Sequence, residues 1–463
     1  MTSLDPHIFR AYDIRGKVPV QMNEEVYRLI GQAFGSIVRE MYGIDHPKLV
    51  VGRDMRTHSL DLQNALIEGL ISTGCEILDI GMTPSPVNYF VIVQQKLDGG
   101  LQVTASHNPK EDNGIKLQIR GAVAFAGDDI QTVLKRIQSG TFLTGKGSVE
   151  SLDGTSPYLD WLEQQFGACA KGAKVVIDTG NGTSGPAMME AIKRTGAEVT
   201  GLYLDPDGTF PNHPADPSKR STLKELQEKV VAEKADIGFA LDGDGDRLGV
   251  VDDKGMILSC DQTLLFLAED YLKRFPGKPV VFTTSMSSSL ETEISKWGGQ
   301  PIMCKVGHSF VEHEMTKHGA PLGGEQSGHF FLEDLAHGYD DALIVALQVL
   351  AILRRGKETL SQRLAHYPKV FVAQELRPTC PDDRKFPIID TIITHFQKSY
   401  PVNTMDGARI DFGEGAWSNI RASNTSPKLS ICLEARSPEK LAAIEAIILD
   451  HLKTYPEIAL SDR

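Results

Sequence analysis

KLVVGRDMRTHSLDLQNALIEGLISTGCEILDI, residues 48–80, decides the fold. Its opening run, KLVVGRD at 48–54, reads as a buried strand. Residues 61–73 carry a helical pattern that Gly74 ends, and EILDI at 76–80 reads as a second strand. Strand, helix and strand in that order form one α/β unit. Upstream, a helix over 26–41 places Val26, Leu29, Ile30, Ala33, Phe34, Ile37, Val38 and Met41 on one face.

The unit recurs twice. KVVID at 174–178, a helix ending near Gly196 and EVTGLYL at 198–204 form the second copy. PVVFT at 279–283, a helix ending at Gly298 and Gly299, and PIMCK at 301–305 form the third. Strands that alternate with helices imply mixed, mostly parallel sheets. The chain therefore reads as α/β, with three related α/β domains in series. The C-terminal stretch is different: a strand at 368–376, a helix at 386–399, strands between 408 and 435, and a last helix at 437–454. That pattern predicts a smaller α+β domain. The expected domains are 1–150, 151–254, 255–366 and 367–463.

Bulk properties agree with several domains. The chain has 463 residues, and a single core seldom grows past about 250–300. Its net charge of −13 argues against nonspecific nucleic-acid binding. An anionic substrate stays possible, because a local Arg/Lys cluster can reverse the field inside one cleft. Six widely spaced cysteines suggest reduced thiols in a cytoplasmic protein rather than disulfides or a zinc site. The opening MTSLDPHIFRAYDIRG has no apolar signal core, and no apolar run is long enough to span a bilayer.

Four polar motifs stand out. In VTASHNPKEDNGIK (103–116), Ser106 follows a strand, at the edge where α/β sheets bind ligands. His107 beside it is wrongly placed for a Ser–His–Asp triad. A phosphoryl acceptor needs metal and cations instead, and Lys116 could supply one charge. Ser106 or Asn108 could equally cap a turn.

In LDGDGDRLG (241–249), Asp242, Asp244 and Asp246 can turn toward one point, which is costly unless a hard cation such as Mg²⁺, Ca²⁺ or Mn²⁺ neutralises them. An EF-hand fails here, because Arg247 and Asp253 stand where its glycine and glutamate belong. A solvated acidic turn is the plain alternative. In GGEQSGHF (323–330), Glu325, Ser327 and His329 alternate, so an extended segment would put them on one face. The first two suit sugar hydroxyls, and His329 suits proton transfer. A surface hairpin without a role is the alternative. In RASNTS (421–426), Arg421, Ser423, Asn424 and Thr425 could form a phosphate nest or an ordinary turn. TGNGTSG at 179–185 lacks the ending of a P-loop and reads as a strand-to-helix turn.

In chain order, FRAYDIRG, TASHNP, DGDGDR, GEQSGH and RASNTSP closely resemble the α-D-phosphohexomutases, particularly the phosphomannomutase/phosphoglucomutase branch. The likeness spans nearly the whole chain. It implies four domains around a central cleft and a resting enzyme phosphorylated on Ser106. It implies Mg²⁺ held by Ser106, Asp242, Asp244 and Asp246. By the same resemblance, Arg15, His107, Lys116, His308 and His329 belong with Ser106 in the catalytic set. Tyr12, Arg247, Glu325, Ser327, Arg421, Ser423, Asn424 and Thr425 would bind substrate.

The implied reaction converts hexose 1-phosphate and hexose 6-phosphate through a hexose 1,6-bisphosphate, which also serves as activator. Mannose and/or glucose are the expected sugars, and the enzyme would work as a monomer or homodimer. RAYDIRG and Asn424 favour that branch, whereas Gln326 matches phosphoglucosamine mutases and keeps that activity as an alternative. A metal-dependent sugar phosphatase is the rival from another class.

Overall fold

The computed structural model describes residues 4–10, 12–423 and 426–460. The stretch that decides the fold forms the strand Lys48–Arg53, the helix Ser59–Ser72 and the strand Glu76–Met82, and the two strands pair in parallel. Asn23 caps the preceding helix, Glu24–Tyr42, by accepting from the Val26 N–H at 3.1 Å, and the left-handed Gly43 ends it. The two helices cross at glycines. A Cβ on Gly31 would strike the Leu66 carbonyl, and one on Gly69 the Arg28 carbonyl. Small residues are what lets these backbones touch.

The chain divides into two compact units, one of residues 1–270 and 327–364, the other of 271–326 and 365–463. The first unit holds two sheets. In one, the order is Ile14–Lys17, Asp112–Ile119, Gly99–Val103, Lys48–Arg53, Glu76–Met82 and Ser148–Ser151. Its last four strands run parallel, and Asp112–Ile119 is antiparallel to both neighbours. In the other, the order is Leu248–Asp252, Ile237–Leu241, Lys174–Asp178 and Glu198–Leu202, with only the first pair antiparallel. A two-residue strand, Val123–Ala124, also pairs antiparallel with Asp112–Ile119. Both sheets are mixed, and across the two together parallel pairs outnumber antiparallel ones. A fully buried helical run, ALIVALQVLAI, fills most of Ala342–Arg355 in this unit and starts at the Asp341 cap. Tyr158 Oη donates to that cap at 3.0 and 2.8 Å.

In the second unit, Gln300–Cys304, Pro279–Thr283 and Leu322–Gly324 pair in parallel. A five-stranded antiparallel sheet follows, in the order Phe371–Val372, Leu429–Ala435, Trp417–Ala422, Ala408–Asp411 and Val402–Asn403. The strand expected at 368–376 shrinks to two residues, and the helix expected at 386–399 runs Asp382–Phe396. Pro381 sits at its N-cap, so the helix starts earlier than its apolar pattern suggests.

The parallel strands and the antiparallel sheet of this unit are joined by buried polar contacts. Glu434 Oε1 accepts from the Ser288 N–H at 3.1 Å, the Ser288 hydroxyl at 2.8 Å and the Trp417 indole at 3.1 Å. Arg409 donates to the Thr284 carbonyl and, at 3.1 Å, to the Met286 carbonyl. Among the described residues, no helix is long and apolar enough to cross a membrane.

Candidate active site

Ser106 leaves the strand Gly99–Val103 in the left-handed region, with φ of 51°. A non-glycine residue there is strained and needs its surroundings to hold it. Thr104 does part of this, since its hydroxyl accepts from the Ser106 N–H at 2.8 Å. The Ser106 hydroxyl is buried and donates to Asp242 Oδ2 at 2.5 Å. His107 Nδ1 lies 3.1 Å from the same oxygen.

Asp242 opens the turn between the antiparallel strands Ile237–Leu241 and Leu248–Asp252. Strands on both sides remove any EF-hand reading. Its Oδ1 accepts from the backbone N–H groups of Gly245, Asp246 and Arg247 at 3.0, 3.1 and 3.2 Å. One oxygen is therefore fixed by the loop while the other faces Ser106. Asp242, Asp244 and Asp246 are fully buried and can offer oxygens within 4.8 Å of one another.

Lys116 is buried between Asp244, at 2.7 Å, and Asp246, with which it forms a very short ion pair. Burial alone favours the neutral amine, but Asp244 and Asp246 outweigh it and hold the lysine well above its ordinary range. Burial, reinforced by Asp246 and Asp244, pushes Asp242 well above the usual carboxylate range. Burial works the same way on Asp246, yet Lys116 and His329 keep that carboxyl well below it. Asp244 Oδ1 is buried and accepts no hydrogen bond among the described residues, and Asp246 Oδ1 has the His329 ring at 3.5 Å. Oxygen donors left in this state fit a hard divalent cation, which Lys116 alone cannot replace.

Arg247 and His329 complete the group. Arg247 Nη1 lies 3.4 Å from His107 Nε2, and its Nε donates to His329 Nε2 at 3.3 Å. His329 Nδ1 lies 2.7 Å from the Ser327 hydroxyl. Burial, then Arg247 and Arg15, hold His107 well below its ordinary range, so its ring is neutral near pH 7. Arg15 donates to Asn108 Oδ1 at 2.9 Å and pairs with Asp13. Tyr12 is half-buried just before the strand Ile14–Lys17. The first unit thus brings Ser106, His107, Lys116, the three aspartates, Arg247, Ser327 and His329 into one cluster.

The extended reading of 325–329 is corrected. Residues 326–328 form a turn with Gly328 at φ 98°, because glycine adopts that backbone readily. Ser327 and His329 meet through this turn, not through alternation.

The second unit holds the other candidates. The Gly307 N–H donates to Glu325 Oε2 at 3.1 Å, and His308 begins the helix His308–His318, with Nδ1 3.5 Å from Glu312. Cys432 Sγ lies 3.6 Å from Gln326 Oε1, which ties the 323–326 segment to the C-terminal sheet. Arg421 is the penultimate residue of the strand Trp417–Ala422, and the Ser423 carbonyl accepts from Lys385 Nζ at 2.7 Å. Asn424 and Thr425 lie outside the described residues.

Two neighbours escaped the sequence. Ser85 donates to Asp244 Oδ2 at 2.6 Å, and its N–H to the Asp244 carbonyl at 2.9 Å. A serine at a helix start reads only as a cap, so nothing marks its second use. Asp340 places Oδ2 3.6 Å from His329 Nε2 and carries no motif at all.

A serine hydroxyl held on an aspartate trio beside a buried lysine, on serial α/β sheets followed by an antiparallel one, defines an α-D-phosphohexomutase, an isomerase class. Residues 6–144, 156–255 and 259–371 match phosphoglucomutase/phosphomannomutase alpha/beta/alpha domains I, II and III, and 375–451 match the C-terminal domain. The chain is 38% identical over 452 residues to the phosphomannomutase/phosphoglucomutase of Pseudomonas aeruginosa, covering 97% of this chain and 96% of that one. It is 35% identical to the phosphoglucomutase of Neisseria gonorrhoeae, covering 96% of each. The crystal structure of a phosphoglucomutase/phosphomannomutase family protein from Burkholderia thailandensis superposes with a TM-score of 0.91 at 36% identity, over 99% of both chains. The chain belongs to the phosphoglucomutase/phosphomannomutase family.

Proposed function

We propose that the chain interconverts hexose 1-phosphate and hexose 6-phosphate, with mannose and/or glucose as the sugar, through phospho-Ser106 and a hexose 1,6-bisphosphate. The observation that carries this reading is the 2.5 Å contact of the Ser106 hydroxyl with Asp242, inside a cluster of three buried carboxylates able to hold a cation. In the first transfer the bond between Ser106 oxygen and phosphorus breaks, and the departing oxygen takes up a proton to become the serine hydroxyl. A sugar hydroxyl oxygen takes the phosphorus and gives its proton to a basic side chain. The bisphosphate turns end for end, and its other phosphoryl group returns to Ser106. Such a loose transition state asks for alignment and neutralisation more than for a strong nucleophile.

Ser106, Asp242, Asp244 and Asp246 would hold Mg²⁺, which supplies positive charge to the transferring group. Lys116 and Arg15 add fixed positive charge. His107, His308 and His329 serve proton transfer. Tyr12, Arg247, Glu325 and Ser327 hold the sugar, and Arg421, Ser423, Asn424 and Thr425 hold the phosphate that is not reacting. The enzyme works on small molecules in the cytoplasm, as a monomer or homodimer.

The test is peptide mass spectrometry after incubation with labelled glucose 1,6-bisphosphate. Label must appear on the peptide that contains Ser106 and must chase into added sugar phosphate. A panel of mannose, glucose and glucosamine 1-phosphates, read as 6-phosphate formed, separates the mutase branches. Free phosphate released at the rate of substrate loss would instead mark a phosphatase.

A further inference from the structure

Arg56 is 2% exposed and fully engaged. Its Nε donates to Asp54 Oδ2 at 3.0 Å. Its Nη1 donates to the carbonyls of Pro109 at 2.6 Å and Asp112 at 2.9 Å. Its Nη2 donates to the carbonyls of Ser106 at 2.9 Å and Asn108 at 2.7 Å. All five N–H groups of the guanidinium are spent, so it has none left for a substrate.

The fork is itself anchored. The buried Asp54 takes the Arg56 N–H at 3.0 Å and the Ser59 hydroxyl at 2.6 Å on its other oxygen. The Phe210 ring lies 5.5 Å from the guanidinium carbon. Gly208 packs so tightly here that a Cβ would sit 2.6 Å from Arg56 Cα and from the Met55 carbonyl.

Four carbonyls of one loop therefore converge on one planar cation, and the first belongs to Ser106, whose backbone is left-handed. A strained residue keeps its conformation only when its surroundings over-determine it. Thr104 fixes the Ser106 N–H and Arg56 fixes the Ser106 carbonyl, so the direction of the Cα–Cβ bond is set, and from it the hydroxyl reaches Asp242.

We propose that Arg56 is a positioning residue that aims the Ser106 oxygen at the metal-binding carboxylates by gathering the carbonyls of the 106–112 loop. This rests on the reading of Ser106 as the phosphoryl carrier. A lysine keeps the charge but offers three donors on a compact head, too few to span four carbonyls and Asp54.

The experiment compares the full-length protein with Arg56→Lys and with Asp54→Asn, which removes the anchor of the fork. Single-turnover transfer of label from phospho-Ser106 to glucose 1-phosphate is read beside steady-state kcat and KM, per folded molecule by circular dichroism and melting. The expected result is a fall of about 10- to 100-fold in transfer rate and kcat, with KM within about twofold. Unchanged transfer in a folded variant overturns the proposal. So does loss in proportion to unfolded fraction, or failure of both variants to fold, since Arg56 would then serve stability alone. If the unsubstituted protein takes no label on Ser106, the underlying functional reading fails, whatever the variants do.

Discussion

The Ser106 hydroxyl and Asp242 Oδ2 lie 2.5 Å apart across 136 positions of sequence, each just past the C-terminal end of an interior strand, one in each sheet of the first unit. The backbone N–H groups of 245–247 hold the other carboxylate oxygen, so the aspartate cannot turn away. Asp242→Asn preserves the shape but weakens cation binding and the charge next to the serine. Phosphoryl transfer should drop by about 10²-fold or more, measured as label leaving Ser106 in a single turnover. Ser106→Ala should lose label altogether while calorimetry still shows sugar-phosphate binding.

Lys116 is the buried counter-charge of Asp244 and Asp246. Lys116→Met should destabilise the fold by about 3–5 kcal/mol in urea denaturation, because it strands buried carboxylates. Chelation should destabilise the unsubstituted protein too. Mg²⁺ at about 100 times its dissociation constant should restore roughly 2.7 kcal/mol. A melting temperature indifferent to chelator would count against a cation among the aspartates.

Asp341 gives a pH dependence away from those aspartates. Burial pushes its carboxyl up to about 7 from an ordinary 3.8. Between those values the folded state binds a proton that the unfolded chain has released, so this group's contribution to stability falls as pH rises from about 4 to about 7. Asp341→Asn can still accept from the Ile344 N–H and meet Tyr158, without the charge. The variant should melt at least as high as the parent at pH 7 to 8. Its advantage should vanish near pH 4, as scanning calorimetry would register.

Gly243 faces the Ser106 carbonyl so closely that any Cβ would strike it. Gly243→Ala should cost about 1–3 kcal/mol of stability. It should also lower transfer by about 10²-fold through displacement of the serine. Transfer at the parental rate in a folded variant would show that the two loops can part without consequence.

Much of this was legible in the sequence, and the reasons differ by residue. Strand 48–54, the glycine that ends its helix and the two later copies are local patterns. Local periodicity and turn chemistry place them within a few residues. DGDGD is legible because three carboxylates two apart repel one another unless something binds them. Ser106 was ambiguous alone, since a serine after a strand is commonly a turn residue, and the other motifs decided it. Arg56 and Ser85 were illegible because their partners are backbone atoms or lie far along the chain, and Asp340 because it belongs to no motif. The turn at 326–328 was misread as extended because alternation of polar letters says nothing about a glycine that reverses the backbone.

Glu434 and Arg409 bear on how this chain can be recombined with its relatives. Both sit in the C-terminal sheet, yet their partners, Thr284, Met286 and Ser288, belong to the segment after Pro279–Thr283. A chimera cut near residue 370 would separate these partners even where each fragment matches its own domain model. The heritable block is 284–289 together with the strands bearing Arg409, Trp417 and Glu434, and exchange should succeed when those travel as a set.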